Sequence, residues 1–475
     1  MKSAVVTSFR RPNYNRYFQV LLIVTICINT LGFVSGNFLD FYNVLLIDLI
    51  LILFILLNRV GNPIIFIYLL TVFIFFITRV IYLHYFPNDF LYVSNVPFEN
   101  EHITTTLYIL FALTIIFFIS VLLVRPSVRN LTKTKPILPF AGNYEKAIFY
   151  FYPVFQIALI LLKFTTGTGM RGFNHLIQNT NSGYLYVILD ILVKVGFIFP
   201  VYYFILKRRE KIIVINLIVF CVGTLLDFSK MSILYILLPV FIGYFIYKID
   251  IPKKILKWTM ITVVFIVSFL GFIIGFLRNF LAQVIFNIDI TDSSYLSSIS
   301  IIDIITEMIG RIGSSFDVFY SVILKKSDFS SQVSFMNEFK ILINSFLPGQ
   351  PLDVESNYSI TQYVPVILRG YEFDFLNGYG ENINLLSYIY IYFSDWFFYI
   401  GFFFCGMAIA FWYYFARSLG VKVFVLTFVL MNVSNGGGIT DIARSIVYFY
   451  IAFLFYAGLY KLLFYKPKMN YATSK

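Results

Sequence analysis

Charged residues are scarce in this chain. Asp, Glu, Lys and Arg make up 13% of its 475 positions, against roughly 25% in ordinary soluble domains. With 59% hydrophobic residues beside them, that scarcity excludes a water-soluble fold. Cysteine is equally sparse. Cys27, Cys221 and Cys405 lie far apart inside apolar segments, with no paired or metal-ligand spacing, which leaves packing as their role. His84, His102 and His175 share no ligand spacing either, so surface roles are expected of them. No Walker loop, zinc motif or GxSxG elbow occurs, and no internal repeat stands out. The sequence therefore calls for no metal and no cofactor. The basic N-terminal stretch runs into a full apolar span without a small-residue cleavage site, which reads as a retained anchor.

What the chain has in abundance is long apolar runs. LLIDLILILFILL (45 to 57) and WTMITVVFIVSFLGFIIGFL (258 to 277) are long enough to cross a hydrocarbon core of about 30 Å as helices. The runs predict an all-α, polytopic membrane protein of about 12 spans. These fall near 17 to 34, 41 to 57, 64 to 83, 103 to 124, 147 to 163, 184 to 206, 212 to 226, 231 to 247, 258 to 277, 390 to 415, 421 to 434 and 445 to 463. Three sections result: residues 1 to 277 with nine spans, a large extracytoplasmic loop over 278 to 389, and 390 to 475 with three spans and a C-terminal tail.

Positive charge sets the orientation. The net charge of +12 does not point to nucleic acid, because the basic residues sit in short loops between apolar segments, where they fix topology. Of the 36 basic residues, 24 fall on the side of the N-terminus. Both termini are therefore expected in the cytoplasm, with the chain in a bacterial inner membrane. The remaining twelve are Arg79, Lys163, Arg171, Lys194, Lys230, Arg278, Arg311, Lys325, Lys326, Lys340, Arg369 and Arg444. All but the mid-span Lys194 come to the outward side, where topology gives no reason for positive charge.

The loop from 278 to 389 holds twelve of the 24 acidic residues. It contains two amphipathic helical patterns. SIIDIITEMIGRIGSSFDVFYSVIL (300 to 324) places Ile301, Ile305, Ile309 and Ile312 on one face and spaces Glu307 and Arg311 by four. SFMNEFKILINSFLPG (334 to 349) ends at Pro348 and Gly349. Both helices are expected to lie along the membrane surface and cap a cavity among the spans.

An Arg guanidinium is permanently charged and grips phosphate oxygens with a planar fork of donors. Arg79, Arg171, Arg278, Arg311, Arg369 and Arg444, with Lys230, reach the same outer level from different segments, as a pyrophosphate site requires. The alternative for each is snorkelling into headgroups. Asp227 and Lys230 share a turn, and either pair with each other or leave Lys230 for phosphate. Asp190 and Lys194, four apart at mid-span, are read as a mutual pair. Asp48 needs a partner from another helix. The segment from Arg369 to Trp396 combines Arg369 with Glu372, Asp374, Glu381 and three glycines. It reads as a flexible loop, or as a site where Glu381 takes a proton from a sugar hydroxyl.

Two outward segments carry Arg followed at a distance by Gly: RGFNHLIQNTNSG (171 to 183) and RGYEFDFLNG (369 to 378). With DFSKMSILYILLP, GFLRNF and GYGENINLLSYIYIYFSDWFFYIG, they give a layout that resembles the bacterial O-antigen polymerases, the Wzy class of oligosaccharide repeat-unit polymerases. The likeness covers most of the chain. It departs after Phe393, where Ser394 and Asp395 stand in place of a nearby Gly, and the large loop has no histidine. A carboxylate, or no true base, is then left as the option.

The resemblance implies a glycosyltransferase of polysaccharide biosynthesis. It would transfer glycan from undecaprenyl pyrophosphate to the sugar hydroxyl of another carrier-linked repeat unit. Arg278, Arg311, Arg369 and Glu381 would be catalytic, and Arg79, Arg171, Lys230 and Arg444 would bind substrate. The implied partners are the lipid-linked oligosaccharide, membrane lipid and a chain-length regulator. The competing reading is a flippase for the same lipid-linked sugar, which has little use for an insert of over a hundred residues. A transferase using a monophosphate donor is disfavoured because SGNFLD (35 to 40) offers only Asp40.

Overall fold

A computed structural model describes residues 62–85, 98–131, 144–166, 185, 188–193, 242, 301–344, 351–353, 360–370, 383–393, 395–416, 419–434 and 439–464. Among the described residues every element is helical and there is no strand. Four helical stretches are long and apolar enough to cross a membrane: Pro63–Leu83, Asn100–Val124, Trp396–Phe415 and Ile446–Leu463. Three coincide within three residues with runs read from the sequence, the one from Trp396 starts later than expected, and together they point to membrane association. The apolar stretches Phe151–Leu162 and Val421–Ser434 fall short of that length. The other six runs lie outside the described residues, apart from fragments.

The chain divides into two compact units. The larger comprises Met1–Thr134, Ser300–Phe415 and Val425–Ile442. Its first described helix, α1 (Pro63–Val72), starts where the sequence says it should. Asn62 accepts a hydrogen bond from the Ile64 N–H at 3.2 Å, and Pro63 occupies the first turn, where its missing N–H costs nothing. A π-helical turn, Phe73–Ile77, then joins α1 to α2 (Thr78–Tyr85). The Thr78 hydroxyl closes that turn by donating to the Phe73 carbonyl at 3.0 Å. A π turn inserts one residue into the helical register, so it re-aims everything that follows, beginning with Arg79.

Helix α3 (Asn100–Leu131) packs along the later helix Asp395–Phe415. Tyr68 and Phe117 stack with ring centroids 4.1 Å apart, and Phe402 closes the group at 6.1 Å from Phe117. Polar side chains in this packed region are satisfied locally. Thr71, Thr106 and Thr114 return their hydroxyls to carbonyls four residues back, and Ser120 to one three back. Such back-bonding lets a hydroxyl lie in apolar surroundings without an orphaned donor. Gly406 allows the close approach, since a methyl there would overlap the Ser120 hydroxyl and stand 3.2 Å from Phe117.

From the sequence, residues 300 to 324 are expected to lie along the membrane surface; over the second half of this segment the structure differs. The segment is a helix, α5 (Ile301–Leu324), but the eight consecutive residues from Ser315 to Val322 are all buried. More than two full turns without an exposed residue means burial round the whole circumference, so this half is a core helix and not an amphipathic cap. It lies against the π turn and α2, with Phe76 and Phe319 edge to face at 6.3 Å. Its neighbours are α6 (Lys326–Gln332), α7 (Phe335–Asn344), α8 (Ile360–Arg369) and α9 (Leu385–Tyr392). Val318, Val322, Phe329, Ile360, Val364, Leu368, Ile383, Tyr388 and Ile391 form a core shared by α5, α6, α8 and α9, with Ile383 just ahead of α9.

A second correction concerns the span expected from about 390. Phe393 adopts extended backbone at φ −112° and ψ 123°, so α9 ends there and a new helix, α10 (Asp395–Phe415), begins. Residues 383 to 391 are committed to the core of the preceding helices, not to the span.

The second unit comprises Lys135–Ile299, Ala416–Phe424 and Ala443–Lys475. Its described parts are α4 (Tyr144–Thr166), residues 188–193, and portions of α11 (Leu419–Ser434) and α12 (Ile439–Phe464). Phe155 meets Phe455 at 5.9 Å and Tyr456 at 5.8 Å, and the Tyr456 hydroxyl donates to the Leu192 carbonyl at 2.9 Å. The Asp190–Lys194 pairing expected nearby involves Lys194, outside the described residues.

Gly313 is the position in α5 where size is most constrained. A methyl there would stand 2.5 Å from Arg79 Cγ and 2.6 Å from Arg79 Cβ, atoms too close to the backbone to swing away. Gly313→Ala is expected to destabilise the fold by about 1–3 kcal/mol through overpacking. Gly458→Ala, with nothing within 4 Å, should not. Thermal unfolding midpoints of the two purified variants check this; equal midpoints would contradict the packing described.

Candidate functional site

Arg79 stands at the centre of the larger unit. Its side chain is 1% exposed and faces Asp317, which is 0% exposed. Nε donates to Oδ1 and Nη2 to Oδ2, each at 3.1 Å, in a fork-on-fork pair. The guanidinium carbon also lies 5.4 Å from the Tyr82 ring centroid. Three local features produce this arrangement. The π turn one residue before Thr78 sets the direction of Arg79, Gly313 opens the groove its stem lies in, and Asp317 sits one helical turn further along α5.

Polar contacts continue around the same helix. Ser315 donates its hydroxyl to the Ser434 carbonyl. The Ser315 carbonyl accepts from Asn384 Nδ2 at 2.7 Å. Asn384 in turn caps α9, its Oδ1 accepting from both the N–H and the hydroxyl of Ser387 at 2.8 and 2.9 Å. At the other end of α5 the Glu99 N–H donates to the Tyr320 hydroxyl at 3.1 Å, with Phe98 tilted against that ring. One buried helix is thereby tied to four separate parts of the chain.

Arg369 is the last residue of α8 and is partly exposed. Gly370 follows with φ +72°, and its N–H donates to the Val366 carbonyl at 2.9 Å. This is a left-handed helix cap, a conformation that glycine adopts without a Cβ penalty. The segment RGYEFDFLNG, read in the sequence as an Arg followed at a distance by Gly, thus begins at a helix terminus with a cation on the last turn, where the helix dipole favours one. The opposite end of α8 is held from outside: buried Glu338 of α7 accepts a hydrogen bond from the Ile360 N–H. Tyr392 adjoins Glu338, and burial followed by that carboxylate holds its phenol above the usual tyrosine range. Tyr392 therefore stays protonated. On α6, Lys326 lies over the Tyr390 ring at 4.6 Å and Lys325 pairs with Asp328 at 3.4 Å.

Arg311 lies on α5 and Arg444 on α12, with only their backbone placement described. Arg171, Lys230, Arg278 and Glu381 lie outside the described residues, as do Asp48 and Asp227. Among the described residues no group of His, Cys, Asp or Glu is arranged to hold a metal ion. Sequence reasoning passed over Asp317, Glu338 and Asn384. For Asp317 a signal existed: an acid inside SSFDVFYSVIL, flanked by apolar residues on both sides, demands a cation from another helix just as Asp48 does. Asn384 precedes Ser387 by three, the spacing of a helix cap. No protein-family model, curated protein or solved structure matches this chain.

Removing one partner of a buried pair leaves the other charge uncompensated, at about 3–5 kcal/mol. Asp317→Ala and Arg79→Ala are each expected to lower stability on that scale, whereas the apolar double replacement Arg79→Met with Asp317→Leu should recover much of the loss. Thermal unfolding of the three variants in one detergent measures this. A double variant as unstable as the sum of the singles would contradict the pairing.

Proposed function

We propose that the chain polymerises lipid-linked oligosaccharide repeat units, as an enzyme of O-antigen or capsule type in a bacterial inner membrane with both termini in the cytoplasm. The observation that carries this reading is the Arg followed at a distance by Gly in two segments expected opposite the basic loops, RGFNHLIQNTNSG (171 to 183) and RGYEFDFLNG (369 to 378). Supporting it, Arg369 ends a helix whose first N–H is held by Glu338 of α7, so the residue stands on a fixed helix.

In this reaction the hydroxyl oxygen of the acceptor sugar bonds to the anomeric carbon of the donor glycan. The bond from that carbon to the undecaprenyl diphosphate breaks, and the diphosphate leaves with the electron pair. Arg278, Arg311 and Arg369 meet the negative charge as it develops, which stabilises the transition state without a metal. Glu381 accepts the hydroxyl proton. Arg171, Lys230 and Arg444 hold the carrier phosphates. Two donors of Arg79 are already committed to Asp317, so its part is to position α5, which carries Arg311.

One observation favours the flippase alternative: an ion pair enclosed within the membrane-spanning region is what a transport pathway uses. Complementation separates the two. In a polymerase-null strain with its cognate repeat-unit pathway, wild type should restore a polysaccharide ladder. Arg369→Ala and Arg278→Ala, at matched membrane levels, should give a single repeat unit. Arg369→Lys should restore little, because a point charge lacks the planar fork. Wild type that never extends past one unit but rescues a flippase-null strain would replace polymerisation with transport.

A further inference from the structure

Helix α7 is polar inside and apolar outside. Phe335, Met336 and Phe339 are 40, 59 and 44% exposed, whereas Asn337, Glu338 and Asn344 are buried. At 100° per residue the outward arc runs through Phe335, Phe339, Ile343 and Met336, all apolar, and the inward arc holds Asn344, Asn337, Ile341, Glu338 and Leu342. The polar residues have partners inside. Glu338 holds the first N–H of α8, and Asn344 exchanges two hydrogen bonds with the backbone of Leu352, at 2.7 and 2.9 Å. Facing water, this helix would have the wrong residues outward on every turn.

Its outward face also continues another apolar surface. Phe335 meets Tyr392 at 5.6 Å and Phe393 at 6.1 Å. Three residues beyond Phe393 the span Trp396–Phe415 begins, with Trp396, Phe397, Ile400, Phe404 and Phe411 exposed along it. An exposed stripe down a membrane-length helix faces lipid, and a Trp at its end marks the headgroup level.

We infer that α7 is an interfacial helix, seated in the lipid of the leaflet where the Trp396–Phe415 span begins. Phe335, Met336 and Phe339 lie in the boundary between headgroups and acyl chains, and partly buried Lys340 sits at the edge of that face, within reach of the headgroups. Through Glu338 the seated helix fixes the start of α8. Ten residues at 1.5 Å each put Arg369 about 15 Å along from that anchor. The bilayer surface then sets where the Arg369–Gly370 terminus stands, whichever carrier chemistry that terminus serves.

The test uses the full chain in native membranes and in vesicles of phosphatidylethanolamine and phosphatidylglycerol. The photoreactive residue p-benzoylphenylalanine replaces Phe335, Phe339 or, as an exposed reference on α6, Ser331. Replacing phenylalanine by its benzoyl derivative preserves the aromatic side chain. Irradiation should add the mass of one phospholipid at 335 and 339, several-fold more often than at 331. Adducts to protein at 335 and 339, whether to a second copy or another chain, would assign the face to a protein partner and overturn the inference. Lipid adducts no more frequent than at 331 would overturn it equally.

Discussion

A charge buried in apolar surroundings has to meet its opposite with matched geometry, or the fold that buries it does not form. Arg79 and Asp317 meet that demand across 238 positions of sequence, and much of the larger unit is arranged around them. The π turn aims the guanidinium, Gly313 makes room for its stem, and the Phe76–Phe319 contact seals the adjacent level. The hydroxyl and amide contacts of Ser315, Asn384 and Ser434 then tie α9 and α11 to the same helix. A residue such as Arg79, at the end of an apolar run, thus has a structural reason for being there that owes nothing to headgroups.

The spans were legible because length and composition suffice to define them. Pro63–Leu83 and Ile446–Leu463 fall within a residue of the runs read from the sequence, and Asn62–Pro63 marks a helix start by local chemistry alone. The placement of α5 was not legible. Its isoleucines suggest one apolar face, and although Asp317 in an apolar stretch hints at a cation elsewhere, nothing local says that Arg79 supplies it or that Ser315 finds the Ser434 carbonyl. The same limit applied to α7, where the amphipathic pattern was evident but its inverted direction depends on Glu338 and Asn344 finding partners inside. At the candidate site, Arg369 was readable as a residue of interest, but the segment from it reads as a loop, and the helix end at Gly370, with φ +72°, was not legible. Nor was the Glu338 anchor, 22 positions from the N–H it holds.

The described helices from α5 to α9 therefore divide in their surroundings. The second half of α5 joins the buried core, α7 turns an apolar face outward, and α8, which carries Arg369, is held at its start by Glu338 of α7. Rigid placement of a cation is what electrostatic catalysis on a departing diphosphate requires, because donors that need not reorganise contribute most at the transition state. For the polymerase proposed above, this arrangement pairs a fixed cation with the membrane-anchored substrate that the reaction requires.

Burial of α5 is tested most directly by single cysteines placed from Ser315 to Val322 and exposed to a membrane-impermeant maleimide in native membranes, with the unsubstituted chain giving the background from its own cysteines. Every position should resist labelling until detergent denatures the protein, since each is buried. Labelling that rises and falls with a helical period along these eight positions would show one face in water, return α5 to the membrane surface, and contradict the Arg79–Asp317 pair as the anchor of the fold.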